Sequence, residues 1–338
     1  MNNCGCYKEA TVQPNRPISV THRQAWRRLL QAGFFMLFIL APPLDVFRID
    51  VTQPQVVVFG QVWALGIDGL LSGERSGLEA GFDLIIRGLL PVAAFVIGFG
   101  WLAWRYGRLY CGWLCPHFSV VETINGLMRR ASAKPSLWEK AALPAQHADG
   151  RPLPTQQGYW WAVAVAVPAF AFLWALVLLT YLLPPSEIYA NLVSGELTRN
   201  QTLFLSAATV AFSLEFFMAR HLFCRFGCAV GVFQSLLWMG NRRAMVVGYD
   251  QQRAPACRDC AAHCEAACPM RLKPRGRKRH MFTCTECGQC IAACEQVQGT
   301  DSGGPAPLLQ WVKGSCALGV SAQDFGQRPK LPTDCYRR

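Results

Sequence analysis

Residues 158 to 183 read GYWWAVAVAVPAFAFLWALVLLTYLL, an unbroken stretch without a single charge. About 20 apolar residues in a helix cross the hydrocarbon core of a bilayer, and there only a helix or a closed barrel satisfies every backbone N–H and C=O. A helical segment this long and this apolar rules out an ordinary soluble fold, and its Pro168 predicts a kink. Three further blocks approach the same requirement: Leu29 to Leu44, Gly88 to Trp104 and Thr202 to Ala219. The second extends back to Leu84 if Arg87 snorkels, and the fourth carries one charge, Glu215. With 52% hydrophobic and 16% charged residues, the chain reads as a mainly α polytopic membrane protein of about four spans. The first block begins nearly thirty residues in and no small-residue cleavage pattern follows, so it is expected to stay as a helix.

Lysine and arginine in short loops set orientation. Arg23, Arg27 and Arg28 precede the first block; Arg105, Arg108, Arg129, Arg130, Lys134 and Lys140 lie between the second and third; Arg220, Arg225, Arg242 and Arg243 follow the fourth. The other two loops hold only Arg48, Arg75 and Arg199 beside several acids. Both termini are therefore expected in the cytoplasm, with the chain multi-pass in a bacterial inner membrane and lipid as its first partner. The net charge of +12 is spent on topology, and no nucleic-acid motif accompanies it.

Twelve of the 16 cysteines fall into four tight groups on that same face. Disulfides are disfavoured in the cytoplasm, so metal or redox chemistry leads. CRDCAAHCEAACP supplies Cys257, Cys260, Cys264 and Cys268; CTECGQCIAAC supplies Cys284, Cys287, Cys290 and Cys294. The second run has the C-x2-C-x2-C-x3-C spacing of a two-cluster ferredoxin, in which the fourth thiolate crosses to the other cluster. Crossed ligation assigns Cys257, Cys260, Cys264 and Cys294 to one [4Fe-4S] cluster, and Cys284, Cys287, Cys290 and Cys268 to the other. The first run is one residue longer, and Glu295 stands where a proline is usual. A structural Cys4 zinc site is the competing reading, but eight thiols exceed what one zinc needs. Between the runs lies RLKPRGRKRH, Arg271 to His280, read as a solvated loop beside anionic headgroups or a dock for an acidic donor.

The other two groups are copies of one unit. LYCGWLCPHFSVVETINGLMRR and LFCRFGCAVGVFQSLLWMGNRR align at a constant offset of 113, so Cys111 meets Cys224, Cys115 meets Cys228, and Arg129 and Arg130 meet Arg242 and Arg243. Each unit is a span, then C-x3-C, then a segment too short to cross, read as a re-entrant or interfacial helix. Residues i and i+4 share a helix face, so each pair is expected to chelate a soft ion or close a reversible disulfide, and the two pairs together would make a four-thiolate site. Small buried thiols at a helix bend are the plainer reading. His117 and His221 lie nearby as extra ligands or polar anchors. Glu215, a carboxylate within a span, is expected to face a cavity or a partner: a proton acceptor, a hard ligand, or a mate for Arg87. Cys4 and Cys6 form a C-x-C, while Cys316 and Cys335 show no pattern.

Spans, CGWLCP, a second C-x3-C and a double ferredoxin motif together resemble the CcoG/FixG/RdxA family of cytochrome oxidase accessory proteins, and more loosely the NapH-type membrane ferredoxins. YDQQRAPACRDC (Tyr249 to Cys260) and Glu295 carry the CcoG-like resemblance, which covers roughly Arg27 to Gln298. It implies two [4Fe-4S] clusters, copper at Cys111, Cys115, Cys224 and Cys228, reduction of Cu(II) to Cu(I) as the enzymatic activity, and service to cbb3-type oxidase assembly. Ala229 departs from the family's proline, and the 44 residues after Cys294 are fewer than its usual C-terminal span and immunoglobulin-like domain, so a truncated relative is implied. The NapH-like alternative draws electrons from a quinol, with Glu215 or Glu122 taking the proton; a non-catalytic assembly scaffold is the third. The expected organisation is a cytoplasmic tail over 1–26, a transmembrane domain over 27–245, an α+β ferredoxin domain over 246–300 and a tail over 301–338.

Overall fold

The computed structural model describes residues 20–51, 55–63, 73, 76–257, 260–298 and 305–312; Cys4, Cys6, Cys316 and Cys335 lie outside them. The chain divides into two compact units, one of Met1–Ala32, Leu102–Val163 and Ala219–Arg338, the other of Gly33–Trp101 and Ala164–Met218.

Three helices are long and apolar enough to cross a membrane: α2 (Gly77–Tyr106), α5 (Tyr159–Leu182) and α7 (Arg199–Ala219). The most hydrophobic window of α2 buries nothing inside the protein, and Phe95 and Ile97 are each 71% exposed, as lipid-facing side chains would be. The first expected span is a helix too, α1 (Val20–Leu40), but Arg23, Arg27 and Arg28 occupy its first half. What remains, Leu29 to Leu40, is about 18 Å long at 1.5 Å per residue, short of the roughly 30 Å hydrocarbon core. Three spans, rather than four, therefore meet the length requirement among the described residues. Two of them contain π-helical turns, at Leu84–Leu89 in α2 and Glu215–Ala219 at the end of α7.

The unit built on Gly33–Trp101 and Ala164–Met218 packs Ala175, Leu179, Ile188 and Leu205 into a core joined by α6 (Pro185–Ser194). The Phe38 ring is tilted against that of Trp174 with centroids 4.7 Å apart, and the Phe38 carbonyl accepts from the Tyr181 hydroxyl at 3.0 Å. A Thr198–Gln201 capping box starts α7 by satisfying the first orphan N–H groups. The loop after α1 folds into an antiparallel sheet, β1 (Phe47–Asp50), β2 (Gln55–Val58) and β3 (Gln61–Trp63), with Phe59 and Gly60 at positive φ in the tight turn between β2 and β3.

The other unit holds every chemistry-bearing cysteine that is described. In order it contains α3 (Leu109–Trp113), α4 (Pro116–Ser132), a π turn (Phe223–Gly227), α8 (Ala229–Gly240), β4 (Val246–Tyr249), α9 (His263–Ala266), α10 (Gln289–Gln298) and β5 (Leu309–Val312). The amphipathic α4 buries Phe118, Val121, Ile124 and Met128 along one face, begins with Pro116 at N1 and ends at a left-handed Ala133. Strands β4 and β5 pair antiparallel, from Val246 with Val312 to Tyr249 with Leu309.

Candidate functional site

The two C-x3-C units superpose in backbone logic. Gly107 and Arg220, 113 residues apart, both stand at positive φ (65° and 41°) where the chain leaves its span. Eight residues on, the amides of Cys115 and Cys228 donate back to the carbonyls of Tyr110 and Phe223, at 3.0 and 2.9 Å. Cys115 and Cys228 then adopt nearly the same extended conformation, φ −58° ψ 117° and φ −77° ψ 107°, as N-caps of α4 and α8. This corrects the expectation that both thiols of a pair lie on one helix face: a helix break separates them, with the first cysteine in a short helical turn and the second opening the next helix.

Cys111, Cys115 and Cys228 lie within electrostatic range of one another, although among the described residues no three of the four thiols converge on one point. Burial pushes the Cys115 thiol up to about 12, and nearby Cys111 and Cys228 push it the same way. Burial likewise raises Cys111, opposed by the Arg108 guanidinium that hydrogen-bonds it, while Cys228 adds to the rise. Arg108 is 1% exposed and also donates to the Cys224 carbonyl. Gly231 leaves room for it, since a Cβ there would overlap Nη2. The Cys111 thiol donates to Gln234 Oε1 at 3.5 Å, linking the first unit to the helix of the second. Local sequence marks Arg108 only as a cation three residues before a thiol, which does not single it out as part of the site. Among the described residues all twelve cysteines are free thiols.

The eight remaining thiols surround two cavities. One is lined by Cys257, Cys260, Cys264 and Cys294, the other by Cys268, Cys284, Cys287 and Cys290, the two sets that crossed ligation requires. Backbone amides converge on the sulfurs: Leu272 N–H points at Cys268 Sγ from 3.4 Å with the Met270 and Arg271 amides beside it, and those of Leu308 and Leu309 face Cys294. The Tyr249 hydroxyl lies 3.6 Å from Cys257 Sγ. Burial raises Cys264 to about 12 and Cys287 to about 11, so these thiols give up protons only to a strongly electropositive partner such as iron. Among the described residues no three His, Cys, Asp or Glu side chains converge on a point that would hold one ion. A tetrahedral zinc needs such a point, whereas each cubane ligand reaches a separate iron. The donor set and its N–H···S contacts fit iron–sulfur cubanes.

The first C-x3-C unit is docked on the second cavity's loop. A Cβ on Gly112 would overlap the Thr285 carbonyl oxygen and stand 3.3 Å from Cys287 Cα. Trp113 Nε1 donates to the Glu286 carbonyl at 3.0 Å. From the other side Arg27 and Gln31 donate to the Gly112 carbonyl at 3.1 and 3.2 Å, while Arg27 pairs with Glu122 at 2.6 Å. Glu122 also accepts from Gln289, so α1, α4 and α10 share one polar node. Burial pushes the Glu286 carboxyl up to about 8, opposed by the Trp311 indole N–H.

The basic stretch after Cys268 is more than a solvated loop. Lys278 is fully buried, its ammonium donating to the Trp238 and Asn241 carbonyls at 2.8 Å each, 4.6 Å from the Trp238 ring centroid. It thereby caps the C-terminal end of α8. Arg271 pairs with Glu139 at 2.6 Å and Arg275 with Glu265 at 2.8 Å. His117 packs against Phe223, ring centroids 5.3 Å apart, and His221 is 4% exposed. Glu215 belongs to the other unit, where it opens the π turn of α7 with its carboxylate buried; Arg87, its candidate mate, pairs with Asp83 at 3.5 Å.

A family model described as a 4Fe-4S binding domain matches residues 88–135, which hold the end of α2, Cys111, Cys115 and α4. The ferredoxin-type protein NapH of Haemophilus influenzae is 21% identical over 276 residues, 80% of this chain and 86% of its own length. An uncharacterized protein of Methanocaldococcus jannaschii is 24% identical over 199 residues, 58% of this chain and 64% of its own length, so the chain spans just under two thirds of that relative. No solved structure matches. The chain is thus similar to iron–sulfur proteins of the membrane ferredoxin type.

Proposed function

We propose that the chain is a membrane-bound iron–sulfur electron-transfer protein that carries electrons through two [4Fe-4S] clusters to the four thiols of its C-x3-C units. Cys257, Cys260, Cys264 and Cys294 hold one cluster; Cys268, Cys284, Cys287 and Cys290 hold the other. Bound cubanes supply one-electron redox chemistry. The observation that carries this reading is the seating of Gly112 against the Thr285–Cys287 loop, which puts a C-x3-C turn against a ligand loop of the second cavity. In the finer reading the substrate at Cys111, Cys115, Cys224 and Cys228 is Cu(II), reduced to Cu(I) by one electron and retained because thiolates favour the soft ion. The pairs would close on copper as it binds, and the product would serve assembly of a cbb3-type oxidase. The ferredoxin domain and both termini face the cytoplasm of a bacterial inner membrane, where a soluble reductant is the donor.

Anaerobic purification with iron, sulfide and copper measured together tests this. The wild type is expected to hold both clusters and retain copper, and the double variant Cys111→Ser, Cys224→Ser to lose copper with cluster absorbance intact. Copper retention unchanged in that variant sinks the copper reading, and absence of sulfide sinks the electron-transfer reading. The similarity to NapH favours a second source of electrons, a quinol, with Glu215 or Glu122 as the proton acceptor. Cluster reduction by a quinol analogue in membranes supports it, and no reduction rejects it.

A further inference from the structure

A cavity of about 590 Å³ opens beside the second cysteine cavity, and neither the electron-transfer reading nor the similar proteins assign it a role. Its walls come from α4 on one side and from Cys268, Pro269 and the alanines of α9 and α10 on the other. Its size lies within the range of small-molecule sites, roughly 300 to 1,000 Å³. Two residues one helical turn apart on α4 line it, Asn125 and Arg129, with Cβ atoms about 5 to 6 Å apart by helix geometry.

Both carry unmet polar demand. Asn125 is 8% exposed and its buried Oδ1 has no hydrogen-bond partner, a state that is unfavourable unless something donates to it. Arg129 Nε is buried without a partner as well, and the guanidinium's one described bond runs from Nη2 to the Pro144 carbonyl at 3.3 Å. No carboxylate pairs with Arg129 among the described residues. Burial lowers its pKa, and Arg271 lowers it further; burial, and after it Arg129, depresses His263. The remaining charges on the walls do not cancel this field. Arg271 is tied to Glu139, Arg151 to Asp149, Glu122 to Arg27, and Arg28 stands exposed.

An unpaired guanidinium wants an anion, and an orphan amide oxygen one turn away wants a hydroxyl. We propose that this cavity binds a hydroxylated phosphate ester, its phosphate on Arg129 and a hydroxyl donating to Asn125. Two sources share that chemistry: the polyol phosphate of a soluble nucleotide such as flavin mononucleotide, and the glycerophosphate headgroup of an anionic lipid. Either ligand would rest against the Cys268 wall.

The test uses the full chain with its clusters, in phosphatidylcholine nanodiscs, titrated with flavin mononucleotide, glycerol 3-phosphate and inorganic phosphate. The hydroxylated esters are expected to bind one per chain at least tenfold more tightly than inorganic phosphate. Arg129→Gln should weaken all three by tenfold or more, Arg129→Lys should restore much of the binding, and Asn125→Leu should erase only the preference for the hydroxylated ligands. Cluster absorbance serves as the folding control for each variant. The lipid arm measures retention of phosphatidylglycerol by native mass spectrometry; retention that Arg129→Gln abolishes, without nucleotide binding, assigns the headgroup as the source. The proposal is overturned if the wild type binds neither source, or if Arg129→Gln and Asn125→Leu bind like the wild type.

Discussion

The two C-x3-C units share a backbone, and three of the aligned positions at which their side chains differ set them apart. At the left-handed position the first has Gly107 and the second Arg220; three residues before the first thiol stand Arg108 and His221; one residue after it stand Gly112 and Arg225. Glycine adopts positive φ freely, so the first unit turns at no steric cost, whereas Arg220 does so as a fully buried side chain held by Met128. Gly112 admits a ferredoxin loop to backbone contact. Arg225 cannot, and its guanidinium lies over Phe226 at 5.1 Å instead. The second unit is fixed to the rest of its compact unit by long cations, Arg108 against Gly231 and Lys278 beneath Trp238. One duplicated turn has thus become a docking surface in one copy and a receptacle for buried charge in the other.

Substitution at Gly112 should break that asymmetry most severely. The Cβ of Gly112→Ala would overlap a backbone oxygen, so relief requires the ferredoxin loop to move, and overpacking of this kind costs about 3 kcal/mol or more. The expected result is a lower melting temperature and loss of absorbance from the second cluster with the first retained. Arg225→Ala in the other unit should change neither by much. A Gly112→Ala protein that melts like the wild type would show that the contact does not hold the loop.

Lys278→Met comes next and probes the second unit's anchor. The ammonium satisfies two buried carbonyls, and a side chain of similar length without a donor leaves both orphaned, at roughly 3 kcal/mol together. The loss should appear as destabilisation with Cys111 and Cys115 reactivity unchanged. A stability change below about 1 kcal/mol would mean that water replaces the ammonium.

The spans, the duplicated motif and the eight-cysteine spacing were legible in the sequence because each is a local pattern: a run without charge, a constant offset, fixed intervals between thiols. The start of α1 was less so, since its arginines lie on the helix rather than before it, and apolar counting stops at a charge. The strands β1 to β3 were missed because only Phe59-Gly60 marks their turn, with no Asn-Gly or Asp-Gly signal. The split of Cys111 from Cys115 onto two elements was hidden because C-x3-C fits an i, i+4 pair equally well. Gly112, Arg108 and Lys278 act through partners over 100, or nearly 40, residues away, and no window of sequence shows such contacts.

The remaining difference, Arg108 against His221, separates the two units by pH. Burial holds His221 down to about 4, reinforced by Arg220, Arg225 and Arg271 and opposed by Glu139, so the imidazole is neutral at pH 7. An unfolded histidine protonates near 6.5. Between pH 6.5 and 4 the unfolded chain therefore binds a proton that the folded one refuses, and stability falls as pH drops through that window. By pH 5 the loss is about 2 kcal/mol from this residue alone. His221→Gln removes the titrating group, so the difference in unfolding midpoint between pH 7 and pH 5 should be smaller in the variant than in the wild type by that amount. Equal pH dependence in the two proteins would show that His221 gains a proton while folded, and that the second unit tolerates a buried charge at that position as the first does.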